Sequence, residues 1–299
     1  MEQRIGSLRR SALYVPATNK RAMQKARSLD CDALIFDLED AVAPAMKETA
    51  RQNLVDVFAA ERFEGHETVI RVNAIGTGEF NEDLKAVATC RPNAFLVPKV
   101  SGAEDFHLLS AAAAARGMSQ SIRLWVMIET ATALGNIDHL VASGLNSQPR
   151  LDCLVVGTND LAKETGVFSG DQRWFLFPWL MNIVLAGKRH EISVLDGVWN
   201  DFADEAGFAA ETNQAVKMAF NGKTLIHPCQ VDPANRAFSP SEQAVFEARM
   251  VAAAFAKEEN LNAGVINLNG KMTERLHLVQ AHKLLEMNET IQTRAQRKR

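Results

Sequence analysis

Eight short runs of apolar and β-branched residues recur along the first three-quarters of the chain, and polar residues bound each of them. Runs of this length are typical of strands buried on both faces of a parallel sheet. Segments of helical period separate them, for example residues 44–60 and 103–116. The runs are residues 11–15, 33–38, 68–72, 94–97, 123–128, 151–156, 192–195 and 224–226. This alternation predicts an α/β fold, a (β/α)8 TIM barrel.

The remaining residues predict a helical extension, so we expect a catalytic barrel at 1–238 and extra C-terminal helices at 239–299. Ser241 is placed to cap a helix that ends near residue 259. Residues 267–272 predict a turn, and residues 273–288 predict a final helix.

Composition narrows the classes of partner. The net charge of −3 gives no reason to expect nucleic acid, and no apolar run is long enough to span a membrane. Residues 1–10 lack the apolar core of a signal peptide, and the four cysteines form no closely spaced pair. We therefore expect a cytoplasmic protein with reduced thiols.

Charged residues follow the C-terminal ends of the runs, while the opposite ends show few. In a parallel barrel that rim forms the active site, whereas loop charges scattered at random would show no preference for one side. The residues concerned are Glu39, Asp40, Arg71, Lys99, Glu129, Asp160, Asp196 and His227.

Glu129 and Asp160 end consecutive runs, so their side chains can converge. Two carboxylates with open positions suit Mg²⁺, which retains water and takes further oxygen ligands from a substrate. Either residue alone would more simply be a salt-bridged carboxylate. Together they predict a magnesium site.

Arg71 lies within an apolar run, where a guanidinium must find an anion. It can pair structurally with Glu39 or Asp40. It can also direct a bidentate fork at a substrate carboxylate or an enolate oxygen. We expect substrate contact, since both can hold at once.

Basic residues of the first unit, among them Arg9, Arg10, Lys20 and Arg27, give it a positive side. This positive side is either a solvated surface or a binding site for the phosphorylated part of a cofactor. No glycine-rich nucleotide motif accompanies it. Lys20, together with Lys99, is therefore kept as a candidate for substrate binding.

The motifs resemble the citrate lyase β-subunit-like family of the HpcH/HpaI aldolase superfamily. They are ALYVP (12–16), ALIFDLEDAV (33–42), IRVN (70–73), FLVPK (95–99), MIET (127–130), DGV (196–198), GKTLIHP (222–228), NRAFSP (235–240) and NGKM (269–272). The resemblance implies a Mg²⁺-dependent carbon–carbon lyase that cleaves or forms a 3-hydroxyacyl-CoA such as malyl-CoA or citramalyl-CoA. The products are acetyl-CoA and a 2-oxo acid, and the typical assembly is a homotrimer or hexamer.

By position, the resemblance makes Arg71 the substrate arginine and Glu129 and Asp160 the metal ligands. Gly157, Thr158 and Asn159 stand where the family often has Gly-Ala-Glu and are expected to contact substrate. Glu274 replaces an aspartate that reaches a neighbouring subunit's site in the family. Candidates for the catalytic base are Glu274, Glu39 and Asp40.

Three other functions remain open. The chain could be a citrate lyase β subunit that acts on an acyl-carrier-bound citryl thioester. It could be a non-CoA aldolase for 2-oxo acids within the same superfamily. A barrel used only for binding is the third, and the intact set of Arg71, Glu129 and Asp160 argues against it.

Overall fold

The computed structural model describes residues 8–297, and its first unit is a closed barrel of eight parallel strands. Strands adjacent in sequence are adjacent in the sheet, and β8 pairs with β1 to close it. The predicted (β/α)8 TIM barrel is therefore confirmed. The strands are β1 (Ser11–Pro16), β2 (Ala33–Asp37), β3 (Glu67–Arg71), β4 (Ala94–Val97), β5 (Arg123–Ile128), β6 (Leu151–Val156), β7 (Ser193–Asp196) and β8 (Gly222–Leu225).

Helices follow every strand of the barrel, as a parallel sheet requires. None of the described helices is both long and apolar enough to cross a membrane. The helices of this unit are α1 (Lys20–Ala26), α2 (Lys47–Ala60), α3 (Gly78–Cys90), α4 (Ala103–Ala115), α5 (Ala131–Gly135), α6 (Ile137–Leu145), α7 (Thr158–Thr165), α8 (Gly170–Arg173), α9 (Phe177–Arg189), α10 (Glu205–Lys217) and α11 (Val231–Ala237).

Helix α7 lies where the sequence pattern indicates a linker, at residues 161–173, and it begins directly after the end of β6. Gly157 precedes this helix, and Gly166 ends it in the left-handed region, at φ 72°. Asp160 consequently lies in the first turn of a helix and not in a loop. A carboxylate is stabilised there by the helix dipole.

The barrel interior is filled by alternate strand residues, because successive side chains of a strand point to opposite faces. Small residues in this cluster leave room for the buried ring of Trp125, and Tyr14 packs against it at the edge. The next inward position along several strands is charged, and these positions form the rim. The buried members are Ala12, Ala33, Ile35, Val69, Ala94, Leu96, Trp125, Met127, Cys153, Val155 and Leu195.

Arg9 and Arg10 do not join Lys20 in one basic surface, contrary to the pattern in the sequence. They precede β1, so they lie at the N-terminal end of the barrel, away from the rim. Arg9 binds Glu67 through Nη2 at 2.6 Å, and Arg10 binds Asp32 through Nε at 2.9 Å. Both side chains are buried and hold strands together.

The chain divides into two compact units, and the second begins at Phe238. It contains α12 (Glu242–Phe255), β9 (Val265–Leu268), β10 (Lys271–Glu274) and α13 (Arg275–Arg297). The turn predicted at 267–272 is thus a β-hairpin, in which Asn269 and Gly270 have φ of 54° and 81°. This pair of left-handed residues is the usual turn between two short strands.

Asp196 was expected on the rim, but it is fully buried inside an ion-pair network. Its two oxygens accept from Arg173 at 2.6 Å and from Lys223 at 2.7 Å. Glu211 also contacts Lys223 at 2.7 Å. Both carboxylate oxygens are occupied, so this aspartate joins β7, β8 and α10 and is not free to bind a ligand.

We expect Asp196→Asn to destabilise the barrel. The change removes the negative charge between two buried cations, and breaking a buried ion pair costs about 3–5 kcal/mol. Urea unfolding measures the loss. Asp138→Asn is the control, because Asp138 forms an exposed pair with Arg189 at 3.5 Å and should change stability little. Equal stability of Asp196→Asn and wild type would contradict this account.

Candidate active site

The candidate site is formed where the inward-facing positions of β2, β3, β5 and β6 reach the C-terminal rim. Every second residue of a strand faces inward, so Ala33 and Ile35 on β2 are followed by Asp37, and Val69 on β3 is followed by Arg71. The same step beyond the ends of β5 and β6 leads to Glu129 and Gly157. The strand register alone therefore brings three charged side chains and one glycine together.

Arg71 is buried, and its guanidinium fork is turned toward Asp37. Nε lies 2.8 Å from Oδ1 and Nη2 lies 2.6 Å from Oδ2. This bidentate pair occupies two of the guanidinium N–H groups, and the predicted contact of Arg71 with a substrate stays a prediction. Nη1 makes no contact with Asp37, so it is the nitrogen best placed to meet a substrate oxygen.

The remaining Arg71 nitrogen faces the loop after β2. Nη1 lies 2.9 Å from Glu39 and 3.7 Å from Asp40. Glu39 is buried and also accepts from Lys99 Nζ at 3.3 Å, whereas Asp40 is exposed. Burial raises the pKa of Glu39 against the opposing charge of Arg71. Of the two candidates, Glu39 is the better placed for proton transfer.

A buried lysine, Lys47, holds the loop that carries Glu39. Its ammonium donates to the carbonyl oxygens of Leu38 and Glu39 and to Asn73 Oδ1, each at 2.7 Å. Asn73 Nδ2 in turn donates to Asp83 Oδ2 at 2.6 Å. The first turn of α2 is thereby connected to the rim through side chains that the sequence analysis did not identify.

Glu129 is buried just past β5, and its surroundings favour the protonated acid. Burial raises its pKa to about 7, and the charges of Glu39 and Asp160 add to the rise. One stabilising contact opposes this, because the Lys99 backbone N–H donates to Oε1 at 2.8 Å. Lys99 reaches that position with a φ of 57°.

Gly157 gives Glu129 the space it occupies. A Cβ at residue 157 would lie 2.5 Å from Glu129 Cβ and 2.7 Å from Oε2. The glycine is therefore needed for close approach, since its φ of −97° is open to any residue. Sequence alone identified Gly157 only by family position.

Glu129 and Asp160 lie close enough for the charge of Asp160 to raise the pKa of Glu129. Their mutual repulsion and the free Oε2 of Glu129 fit a hard divalent cation such as Mg²⁺. Among residues 8–297, no group of three or more His, Cys, Asp or Glu side chains is arranged to hold a metal. Such an ion would thus depend on water or substrate for its other ligands.

The other predicted substrate residues lie near this pair or at the edge of the rim. Thr158 and Asn159 line a cavity of about 240 Å³ together with Trp199 and Asn200. The amides of Asn159 and Asn200 bond reciprocally at 3.1 and 3.0 Å. Lys20 is half-exposed and pairs with Asp56 at 2.6 Å.

Glu274 is the last residue of β10, in the second unit, and is not part of the barrel. Its backbone N–H donates to His277 Nδ1 at 2.9 Å, and its side chain is partly exposed. No contact of the carboxylate assigns it a role.

Sequence analysis missed two further members of the site, Asp37 and Tyr14. Asp37 was counted within the apolar run 33–38, although its alternation with Ile35 was a usable signal. Tyr14 was counted within the apolar run 11–15. The guanidinium of Arg71 lies 4.8 Å from the centre of its ring, as in a cation–π contact.

A closed parallel barrel whose charged residues meet at its C-terminal rim has the architecture of an enzyme. The chain belongs to the HpcH/HpaI aldolase/citrate lyase family, which it matches over residues 10–228. The resemblance drawn from the motifs is confirmed, and with it the prediction of an enzyme of the lyase type.

Three similar proteins give the range of the family. The chain is 41% identical to a (3S)-malyl-CoA thioesterase of Cereibacter sphaeroides (strain KD131 / KCTC 12085), over 94% of this chain and 95% of the relative. It is 29% identical to the human mitochondrial citramalyl-CoA lyase, over 95% and 86%. The chain is 26% identical in sequence to CitE from Mycobacterium tuberculosis, whose structure is solved in complex with magnesium, acetoacetate and coenzyme A. Its TM-score is 0.74, and the match covers 93% of this chain and 97% of that one.

The raised pKa of Glu129 predicts a dependence of stability on pH in metal-free protein. Between about 4.5 and 7 the folded state binds more protons at this residue than the unfolded state, so the free energy of unfolding falls as pH rises. The loss of folding stability caused by ionising buried Glu129 is absent below about pH 4.5. It is complete above about pH 7, where it amounts to about 3 kcal/mol.

Glu129→Gln should remove that penalty. Urea unfolding in EDTA should show the variant gaining stability relative to wild type as pH rises through this window. Glu104→Gln, on the exposed face of α4, is the control and should follow wild type. A constant difference between Glu129→Gln and wild type across the window would refute the assignment.

Proposed function

We propose that this protein is a Mg²⁺-dependent lyase that cleaves a 3-hydroxyacyl-CoA such as malyl-CoA or citramalyl-CoA. The products would be acetyl-CoA and glyoxylate or pyruvate. One observation carries the proposal: the carboxylates of Glu129 and Asp160 share a barrel rim with the buried guanidinium of Arg71. Relatives named for malyl-CoA and citramalyl-CoA chemistry support the substrate class.

Glu129 and Asp160 would hold the magnesium ion, and the CitE complex with magnesium supports that choice. When bound, the ion supplies Lewis-acid polarisation of a carbonyl oxygen and a template for the 2-oxo acid. Gly157 leaves Oε2 of Glu129 accessible, and the Lys99 N–H fixes the other oxygen.

The protein's own residues supply charge stabilisation and proton transfer. Arg71 Nη1, with its orientation fixed by Asp37, is the donor available to a developing enolate oxygen. Glu39 lies between Arg71 and Lys99, and burial raises its pKa, so it is our first candidate for the residue that exchanges a proton with the substrate. We propose Asp40 as a further acid–base candidate and Lys20, Thr158 and Asn159 as further contacts to the substrate.

Glu274 is proposed as a second acid–base candidate, acting on a neighbouring subunit's site within a homotrimer or hexamer. The family resemblance supports this role, and so does the position of Glu274 outside the barrel. A cytoplasmic location also remains a prediction.

Thioester hydrolysis is the second candidate, since relatives at 41% identity are named (3S)-malyl-CoA thioesterases. Water would then attack the thioester carbonyl, and malyl-CoA would yield malate and free CoA. The donor at Arg71 Nη1 would serve the tetrahedral oxyanion as well as the enolate.

Incubation of the purified protein with Mg²⁺ and each CoA ester tests the proposal and separates the two reactions. We expect acetyl-CoA and the 2-oxo acid to form in equal amounts, as measured by chromatography. Free CoA with malate, and no glyoxylate, would replace the lyase with the thioesterase. Turnover only of a carrier-bound citryl thioester would identify a citrate lyase β subunit. Condensation of 2-oxo acids with aldehydes alone would identify the non-CoA aldolase.

Gly157→Ala tests the metal site through packing. The added Cβ must displace the Glu129 carboxylate, so Mg²⁺ affinity by calorimetry and Mg²⁺-dependent turnover should both fall by about tenfold or more. Gly78→Ala is the matched control, because nothing lies within 4 Å of the Cβ position at that helix start. If Gly157→Ala retains the Mg²⁺ affinity of wild type, Glu129 is not a ligand.

A further inference from the structure

Tyr14 is the single tyrosine of the chain, and it lies inside the barrel just below the charged rim. It pairs in register with Ile35 on β2, and Asp37 stands two residues further toward the rim. Its side chain remains part-exposed, so the mouth of the barrel reaches it.

The hydroxyl of Tyr14 has no hydrogen-bond partner among the described residues, although charged groups surround it. Asp37, Glu39, Glu129 and Arg71 are the charged side chains that act on it. Burial raises the pKa of Tyr14, with Arg71 opposing and the three carboxylates adding to the rise. The phenol therefore stays protonated and can donate a hydrogen bond. A tyrosine hydroxyl that the mouth of the barrel reaches is free to donate to a ligand.

We propose that Tyr14 contacts the substrate directly, donating its hydroxyl hydrogen to the carboxylate of the 2-oxo acid half. This inference rests on the proposed function and adds a residue that positions the acid. A coenzyme A group is too large to enter the barrel, so the part of the substrate that reaches farthest inward is the short acid. Tyr14 is the polar side chain one inward step below Asp37 and Arg71.

The position of Arg71 supports the same assignment. Its guanidinium lies over the Tyr14 ring, at 4.8 Å from the centroid, while its fork is held by Asp37. An acid carboxylate that accepts from the Tyr14 hydroxyl would therefore also lie near the positive charge of Arg71. Arg71 and Tyr14 would then bind the carboxylate together, in place of the bidentate Arg71 contact expected from the sequence.

A fluorine label gives a readout that does not need turnover. Growth on 3-fluorotyrosine places fluorine at Tyr14 alone, so the protein should show one ¹⁹F resonance. Oxalate, a planar dianion that resembles the enolate of a 2-oxo acid, is added with Mg²⁺. We expect the resonance to shift with oxalate and to stay unmoved with acetyl-CoA alone. A shift with acetyl-CoA alone, or none when calorimetry shows that oxalate has bound, overturns the proposal.

Tyr14→Phe removes one oxygen and keeps the packing of the ring. Its oxalate affinity should fall about tenfold or more, as for the loss of a hydrogen bond to a charged group, while its acetyl-CoA affinity stays unchanged. An unchanged oxalate affinity refutes the role of Tyr14. The labelled wild type decides the matter if the variant does not fold.

The two proposals fail separately. Wild-type protein that shows the oxalate-induced shift but turns over no CoA ester would retain the Tyr14 site and reject the proposed reaction. If wild-type protein turns over malyl-CoA but Tyr14→Phe binds oxalate as tightly as wild type, the proposed reaction is retained and the role of Tyr14 is rejected.

Discussion

The guanidinium of Arg71 sets the arrangement of the whole rim, because it is buried and cannot lose its proton. A buried cation requires anions, and the neighbouring strand supplies Asp37 in a bidentate pair. This pair fixes the plane of the guanidinium, so one nitrogen faces Glu39 and the guanidinium lies over the ring of Tyr14. Removal of either partner would leave an uncompensated charge inside the barrel, which is costly.

The carboxylates of the site are more numerous than the cations Arg71 and Lys99 can neutralise. Glu39 and Glu129 both have raised pKa values, and burial is the main cause for each. The structure therefore holds negative charge where an unassisted protein would avoid it. Strain of this kind at a rim is expected for a functional site and would not be maintained by packing alone.

Much of this arrangement could be predicted from the sequence, because strand pattern and strand ends carry strong signals. The barrel, the rim and the meeting of Arg71 with Glu129 follow from short apolar runs that end in charge. The fork on Asp37 could not be inferred, since it depends on register between β2 and β3. The hairpin at β9 and β10 was missed because its strands are only four residues long and mostly exposed. Lys47 was missed because contact with distant carbonyl groups leaves no local pattern.

The strand origin of the central charges has an evolutionary consequence. Asp37 and Arg71 are the last residues of β2 and β3, and a shift of one residue in either strand would turn them out of the barrel. Insertions in the loops beyond the rim leave that register intact. Selection can therefore reshape the entrance for a new acyl group while the charged centre is inherited unchanged. A family with both lyases and thioesterases among its members is the expected outcome of that separation.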